Sequence, residues 1–204
     1  MVETYRVIKA EAEGFYKEKG SKFLAYAYPV GSIDEVKERV DELKKKYYDA
    51  RHHCFAHIIN EGNQQLIRAN DDGEPNHSAG DPILGQIRSL DLVDTLVVVV
   101  RYFGGTKLGV SGLVHAYKTA AEDALSHAEI LTVEIKTDFT LEYPYEQTQD
   151  VMRVLNDFGV EIKGQEFTAS CLLRGRIEPE RYPALREKML LLKLDVVRLG
   201  ANSG

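Results

Sequence analysis

Tryptophan is absent from the chain, and cysteine occurs only twice, at Cys54 and Cys171. The two thiols stand far apart, each among apolar, strand-forming neighbours. That argues against a disulfide framework and against a cysteine zinc site; two buried free thiols are the expectation. Long hydrophobic runs are missing as well. No window approaches the roughly 18 apolar residues of a membrane-spanning helix. The opening MVETYRVIKAEAEG lacks the apolar stretch of a signal peptide. No membrane partner is expected, and the expected location is cytoplasmic. Nor is there a cationic excess: 26 Lys+Arg stand against 32 Asp+Glu, a net charge of −6. This excludes attachment to nucleic acid through the overall field. Local charge differs: residues 171–204 carry 7 Lys+Arg against 4 Asp+Glu, net +3, and residues 1–130 carry 16 against 20, net −4. Any polyanion contact has to use a patch.

What is present is an ordinary globular composition, 44% hydrophobic and 28% charged over 204 residues, enough for one large domain or two small ones. Strand patterns at Thr4–Ala10 and Lys22–Val30, with Gly14 and Gly20 breaking the pattern between them, predict a hairpin. The stretch SIDE from Ser32 is a capping box, with Ile33, Val36, Val40, Leu43 and Tyr47 at helical spacing behind it. His53–Asn60 and Gln65–Ala69 predict paired strands, turning at Glu61-Gly62-Asn63. The irregular NDDGEPNHSAGDP follows, and Asp81-Pro82 reads as N-cap and first residue of a helix to about Leu90. Asp94–Phe103 contains Leu96-Val97-Val98-Val99-Val100, apolar on both faces, as in a strand covered on both sides. A helix is predicted over Gly112–His127, with Ser111 as N-cap.

Beyond residue 130 the style changes. Val133–Tyr143 predicts a strand and Pro144–Phe158 a helix closed by Gly159. Val160–Phe167 and Ala169–Ile177 predict strands, Pro179–Leu192 a helix and Leu194–Leu199 a last strand, with the tail ANSG frayed. The order β-α-β-β-α-β is the ferredoxin-like split unit. The expected class is α+β, with domains at 1–130 and 131–204.

The chemistry concentrates in RYFGGTKLGVSG, residues 101–112. Glycines at the end of a strand let the backbone turn with positive φ and come close to a ligand. The start of the next helix offers free N–H groups to an anion. Arg101, Gly104, Gly105, Lys107, Gly109, Ser111 and Gly112 therefore form a candidate anion or nucleic-acid site; the alternative is a glycine-rich connection packed tightly for reasons of fold. It is not a Walker A loop, because Val110 stands where the lysine belongs. Asp71, Asp72 and Glu74 form an acidic turn, by default a solvated one, which also suits Mg²⁺ beside a phosphate or ion pairs with Arg101 or Lys107. His53 and His57 share one face of a strand; with His77 or Cys54 they offer a second, weaker metal set, and core histidines are the simpler reading. A nucleophilic serine, Ser78 or Ser111 beside His53, His77 or His115, lacks any supporting motif.

DDGEPNHSAGDPIL, followed by VVVVRYFGGTKLGVSGLVHAY, resembles the YigZ/IMPACT family, with KGSKF and RHHCFAHII in support. The resemblance implies a first domain like domain 2 of ribosomal protein S5. The tail would be a ferredoxin-like domain similar to one in elongation factor G. It implies a role near the ribosome, since eukaryotic relatives regulate translation. The chain departs from the family pattern at Asn76-His77-Ser78, at Gly109-Val110-Ser111-Gly112 and at His115, where arginine is common.

Three functions stand open on the sequence: an RNA- or ribosome-binding module in regulation of translation; an enzyme acting on a phosphorylated small molecule, with Mg²⁺ as its cofactor; and a protein–protein adaptor using Tyr102-Phe103.

Overall fold

Five successive apolar residues in one strand demand cover on both faces, and the computed structural model, which describes residues 4–61 and 64–199, has it. Thr95–Tyr102 (β6) is the middle strand of five. The antiparallel sheet runs Ala12–Glu18 (β2), Ser21–Pro29 (β3), β6, His52–Glu61 (β4), Gln64–Asn70 (β5). Val97 and Val99 face a core shared with the helices Gly80–Ser89 (α2) and Gly109–Ser126 (α3). Leu96, Val98 and Val100 face Val36, Val40 and Leu43 of the helix Ile33–Lys46 (α1). Each such residue contributes about 1.5–3 kcal/mol by leaving water.

The cap forms with one change from the capping box: Ser32 Oγ accepts from Glu35 N at 3.2 Å, and the Glu35 carboxylate reaches past the N-cap to accept from the N–H of Gly31 at 2.8 Å. The predicted first hairpin does not form between Thr4–Ala10 and Lys22–Val30. The hairpin is β2–β3, turning at Lys19 and Gly20, both with positive φ. The strand Thr4–Ile8 (β1) pairs instead with Ile130–Glu134 (β7). Gly14, which looked like a break, lies within β2. A Cβ there would stand 2.2 Å from the backbone nitrogen of Ala124 in α3, so this glycine marks a close packing of strand on helix.

Two helix starts also move. Asp81 is inside the first turn of α2, whose N-cap is Ala79. Ser111 is inside α3, which begins three residues before Gly112. The turn Glu61-Gly62-Asn63 and the tail ANSG lie partly or wholly outside the described residues.

The chain divides into two compact units, Tyr5–Val133 and a second made chiefly of residues 134–199. The predicted strand Val133–Tyr143 is two strands: β7, and Thr137–Tyr143 (β8) in a different sheet, parted at Ile135-Lys136. Next come the helix Thr148–Asp157 (α4), strands Glu161–Phe167 (β9) and Cys171–Ile177 (β10), the helix Tyr182–Leu191 (α5) and the strand Val196–Arg198 (β11). The four-stranded sheet has the order β11-β8-β10-β9. Its core is separate, built on Phe139, Leu141, Leu155, Leu173, Leu185 and Met189. The class is α+β. Cys54 and Cys171 are free and buried. Among the described residues no helix is long and apolar enough to cross a membrane.

Candidate functional site

The acidic turn and the glycine loop meet through one buried ion pair. Arg101, at the end of β6, donates from Nη1 to Glu74 Oε1 at 2.6 Å, with side-chain exposures of 7% and 5%. Tyr117 of α3 donates its hydroxyl to the same oxygen at 2.8 Å, and the Cys54 thiol lies 3.4 Å from that hydroxyl. Burial first, then the neighbouring thiol and carboxylate, drives the Tyr117 phenol far up. Burial likewise raises the Cys54 thiol, so it is no thiolate nucleophile. The Arg101 guanidinium also lies over the rings of Phe23 and Phe103, 5.6 and 5.7 Å from their centroids. This arginine is therefore engaged inside the protein and ties the loop to its floor.

The other two carboxylates serve the backbone. Asp71 Oδ1 accepts from the N–H groups of Ala79 and Gly80 at 3.0 and 2.8 Å, and Oδ2 from His77 N at 2.8 Å. It caps α2 from a distance, in place of the cap expected from Asp81. Burial pushes its pKa up, but the three N–H bonds outweigh this and hold it below the usual carboxylate range. Asp72 Oδ2 accepts from His53 N at 2.7 Å, and its carbonyl lies 2.9 Å from His52 Nδ1. The three carboxylates thus turn to three different partners. They do not fit a shared Mg²⁺, and among the described residues no group of three or more His, Cys, Asp or Glu could hold a metal.

The histidines separate in the same way. His53 and His57 are buried on the α1 face of β4, and burial lowers both pKa values. His77 is exposed and meets Asp81 at 2.6 Å. His115 is exposed against the edge of Tyr16. Ser78 is fully buried and donates to Pro75 O; Ser111 is exposed on α3. No described serine is paired with a histidine.

What remains open to solvent is the loop itself. Phe103, Gly104, Gly105, Thr106 and Lys107 are exposed. Gly105 and Gly109 have positive φ. The N-cap of α3 is Leu108, which has no side-chain acceptor for the first N–H groups of the helix. Gly104 is not free for a ligand. A Cβ there would stand 1.9 Å from the carbonyl carbon of Gly20 and 2.0 Å from Ser21 N, and its N–H donates to Ser21 Oγ at 3.1 Å. The glycine brings the β2–β3 turn, KEKGSK, against the loop.

That turn supplies cations the motif reading missed. Lys17, Lys19 and Lys22 are all exposed. Lys17 and Lys22 stand directly opposite each other in the hairpin, a like-charge pairing that costs stability. The signal was in the sequence, three lysines within six residues; only the fold brings them beside Gly104.

A family model, the Impact N-terminal domain, matches residues 19–125. The IMPACT family member YvyE of Bacillus subtilis is 37% identical over 131 residues, covering 64% of this chain and 60% of that protein, so the chain spans less than two thirds of it. The IMPACT family member YigZ of Escherichia coli is 32% identical over 157 residues, 76% of this chain and 77% of that one. A crystal structure of a hypothetical protein covers 99% of this chain and 100% of its own at 26% identity and a TM-score of 0.68. The chain belongs to the IMPACT/YigZ family.

Proposed function

We propose that this IMPACT/YigZ family member is a binding module for RNA phosphate, acting at the ribosome in the regulation of translation. The observation that carries the reading is the surface around Gly104. Exposed Lys107 and the uncapped start of α3 stand on one side, and the lysine turn 17–22 on the other. Backbone N–H groups at a helix start and several mobile ammonium groups suit a phosphate chain. Phe103, 54% exposed over Arg101, adds a ring on which a base can stack. Arg101 is a brace in this reading, and the phosphate contacts fall to the lysines. The role in translation rests on what the family resemblance implies.

We further infer the finer fold types, S5 domain 2-like for Tyr5–Val133 and ferredoxin-like for the second unit. The strand order β11-β8-β10-β9, with one helix after β8 and one after β10, supports the latter.

Cosedimentation with ribosomes and with bulk RNA across a salt series tests the function. Each lost phosphate contact should flatten the slope of log affinity on log salt by about 0.7–0.9. Lys107→Ala is expected to remove about one such unit, and Lys17→Ala with Lys22→Ala about two. Unchanged slopes in all three variants, or no binding by the wild type at low salt, would sink the reading.

A further inference from the structure

Helix α1 packs over β6 and β4 and leaves the face of β5 short of cover. The result is an open groove of about 700 Å³ between α1 and β4–β5, within the range of small-molecule sites. Val36, Val40, Phe55 and Leu66 give it apolar walls, and His57 lines it between them. His57 is 2% exposed, and its Nδ1 has no hydrogen-bond partner. A buried polar nitrogen left unpaired is unfavourable, and a ligand's polar group can satisfy it. Arg68 stands opposite His57 in the β4–β5 register, exposed, its guanidinium 6.0 Å from the Phe55 ring centroid. Lys44 and Lys37 rise from α1 on the facing wall, with Asp41 between them. Lys37 is engaged by Asp34; Lys44, Arg68 and Asp41 make no ion pair with a described residue.

We propose that this groove binds an anionic small molecule with an apolar body, of the fatty-carboxylate class. The carboxylate meets Arg68 and His57, with Lys44 facing them, and the alkyl body lies along Val36, Val40, Phe55 and Leu66. The argument is one of complementarity. The walls are apolar; of the three lining charges without an ion pair to a described residue, Arg68 and Lys44 are positive and Asp41 is negative; and His57 Nδ1, one of five buried side-chain polar atoms without a partner among the described residues, lines the groove. A cation of the same length would meet Arg68 and Lys44 with like charge. The site is separate from the glycine loop and independent of the RNA reading.

The test is calorimetric titration of the full-length protein with decanoate and, as its cationic counterpart, decyltrimethylammonium. Saturable one-to-one binding of decanoate is expected, with at least tenfold weaker binding of the cation. Arg68→Glu changes an exposed residue, keeps the fold, and should weaken decanoate at least tenfold. His57→Phe should weaken it several-fold. Val40→Trp should fill the groove and abolish binding; far-ultraviolet circular dichroism checks that it still folds. Absence of saturable decanoate binding overturns the proposal. So does equal binding of the two amphiphiles, or an affinity untouched by Arg68→Glu.

Discussion

Arg101 and Glu74 show how a residue's role turns on what it touches. Arginine in a glycine-rich loop reads as a ligand for an anion, and its anion here is an internal carboxylate at 2.6 Å. Removing one member of a buried pair leaves the other charge unpaired in a low dielectric, at a cost of about 3–5 kcal/mol. We expect Glu74→Ala to lower the urea unfolding free energy by that amount. Replacing both, Glu74→Leu with Arg101→Met, should cost much less than the two single changes added together. Equal losses would mean the pair is not coupled. A second expectation concerns pH. Burial holds His53 and His57 below their usual value of 6.5. Below that pH the unfolded chain takes up protons that the folded one refuses, so this stabilisation is complete above 6.5 and is lost as pH falls. Urea midpoints measured from pH 7.5 to 5 should drop, and the drop should shrink in the variant His53→Gln with His57→Gln.

Elements were legible in the sequence where one physical signal governs them. The valine run gave β6, and the capping box gave α1, because burial on two faces and a local hydrogen bond both act at short range. The misplaced elements depend on distant partners. Gly14 and Gly104 are packing glycines, set by α3 and by the β2–β3 turn. Asp71 caps a helix nine residues on, so the start of α2 is written outside α2. The candidate site was legible as a loop, and its flanking lysines were not, because nothing in the spacing of 17–22 and 107 brings them together. Gly104→Ala tests the junction. Its methyl would overlap the backbone of Gly20 and Ser21, which cannot move aside as a side chain can. We expect a loss of about 1–3 kcal/mol or more, read from thermal melts, together with weaker RNA binding. A neutral Gly104→Ala would contradict the contact.

At the scale of the whole molecule, the two units have separate hydrophobic cores. A fragment of residues 1–133 should therefore melt cooperatively by itself in scanning calorimetry. A fragment without a cooperative transition would show that the second unit is needed for the first to fold.

The contact of Gly104 with the β2–β3 turn has a temporal side. The hydrogen bond from Gly104 to Ser21 closes 83 residues of chain, and β3 and β6, which pair directly, are separated in sequence by α1, β4, β5 and α2. Contacts of such sequence separation form late, after the loop-closure entropy has been met. The lysine turn and the glycine loop are therefore expected to meet late in folding, which a low φ-value for Gly104→Ala would check. A nascent or half-folded chain carries all the same lysines without the surface they make together, so on the proposed reading phosphate binding should accompany completion of the fold rather than precede it.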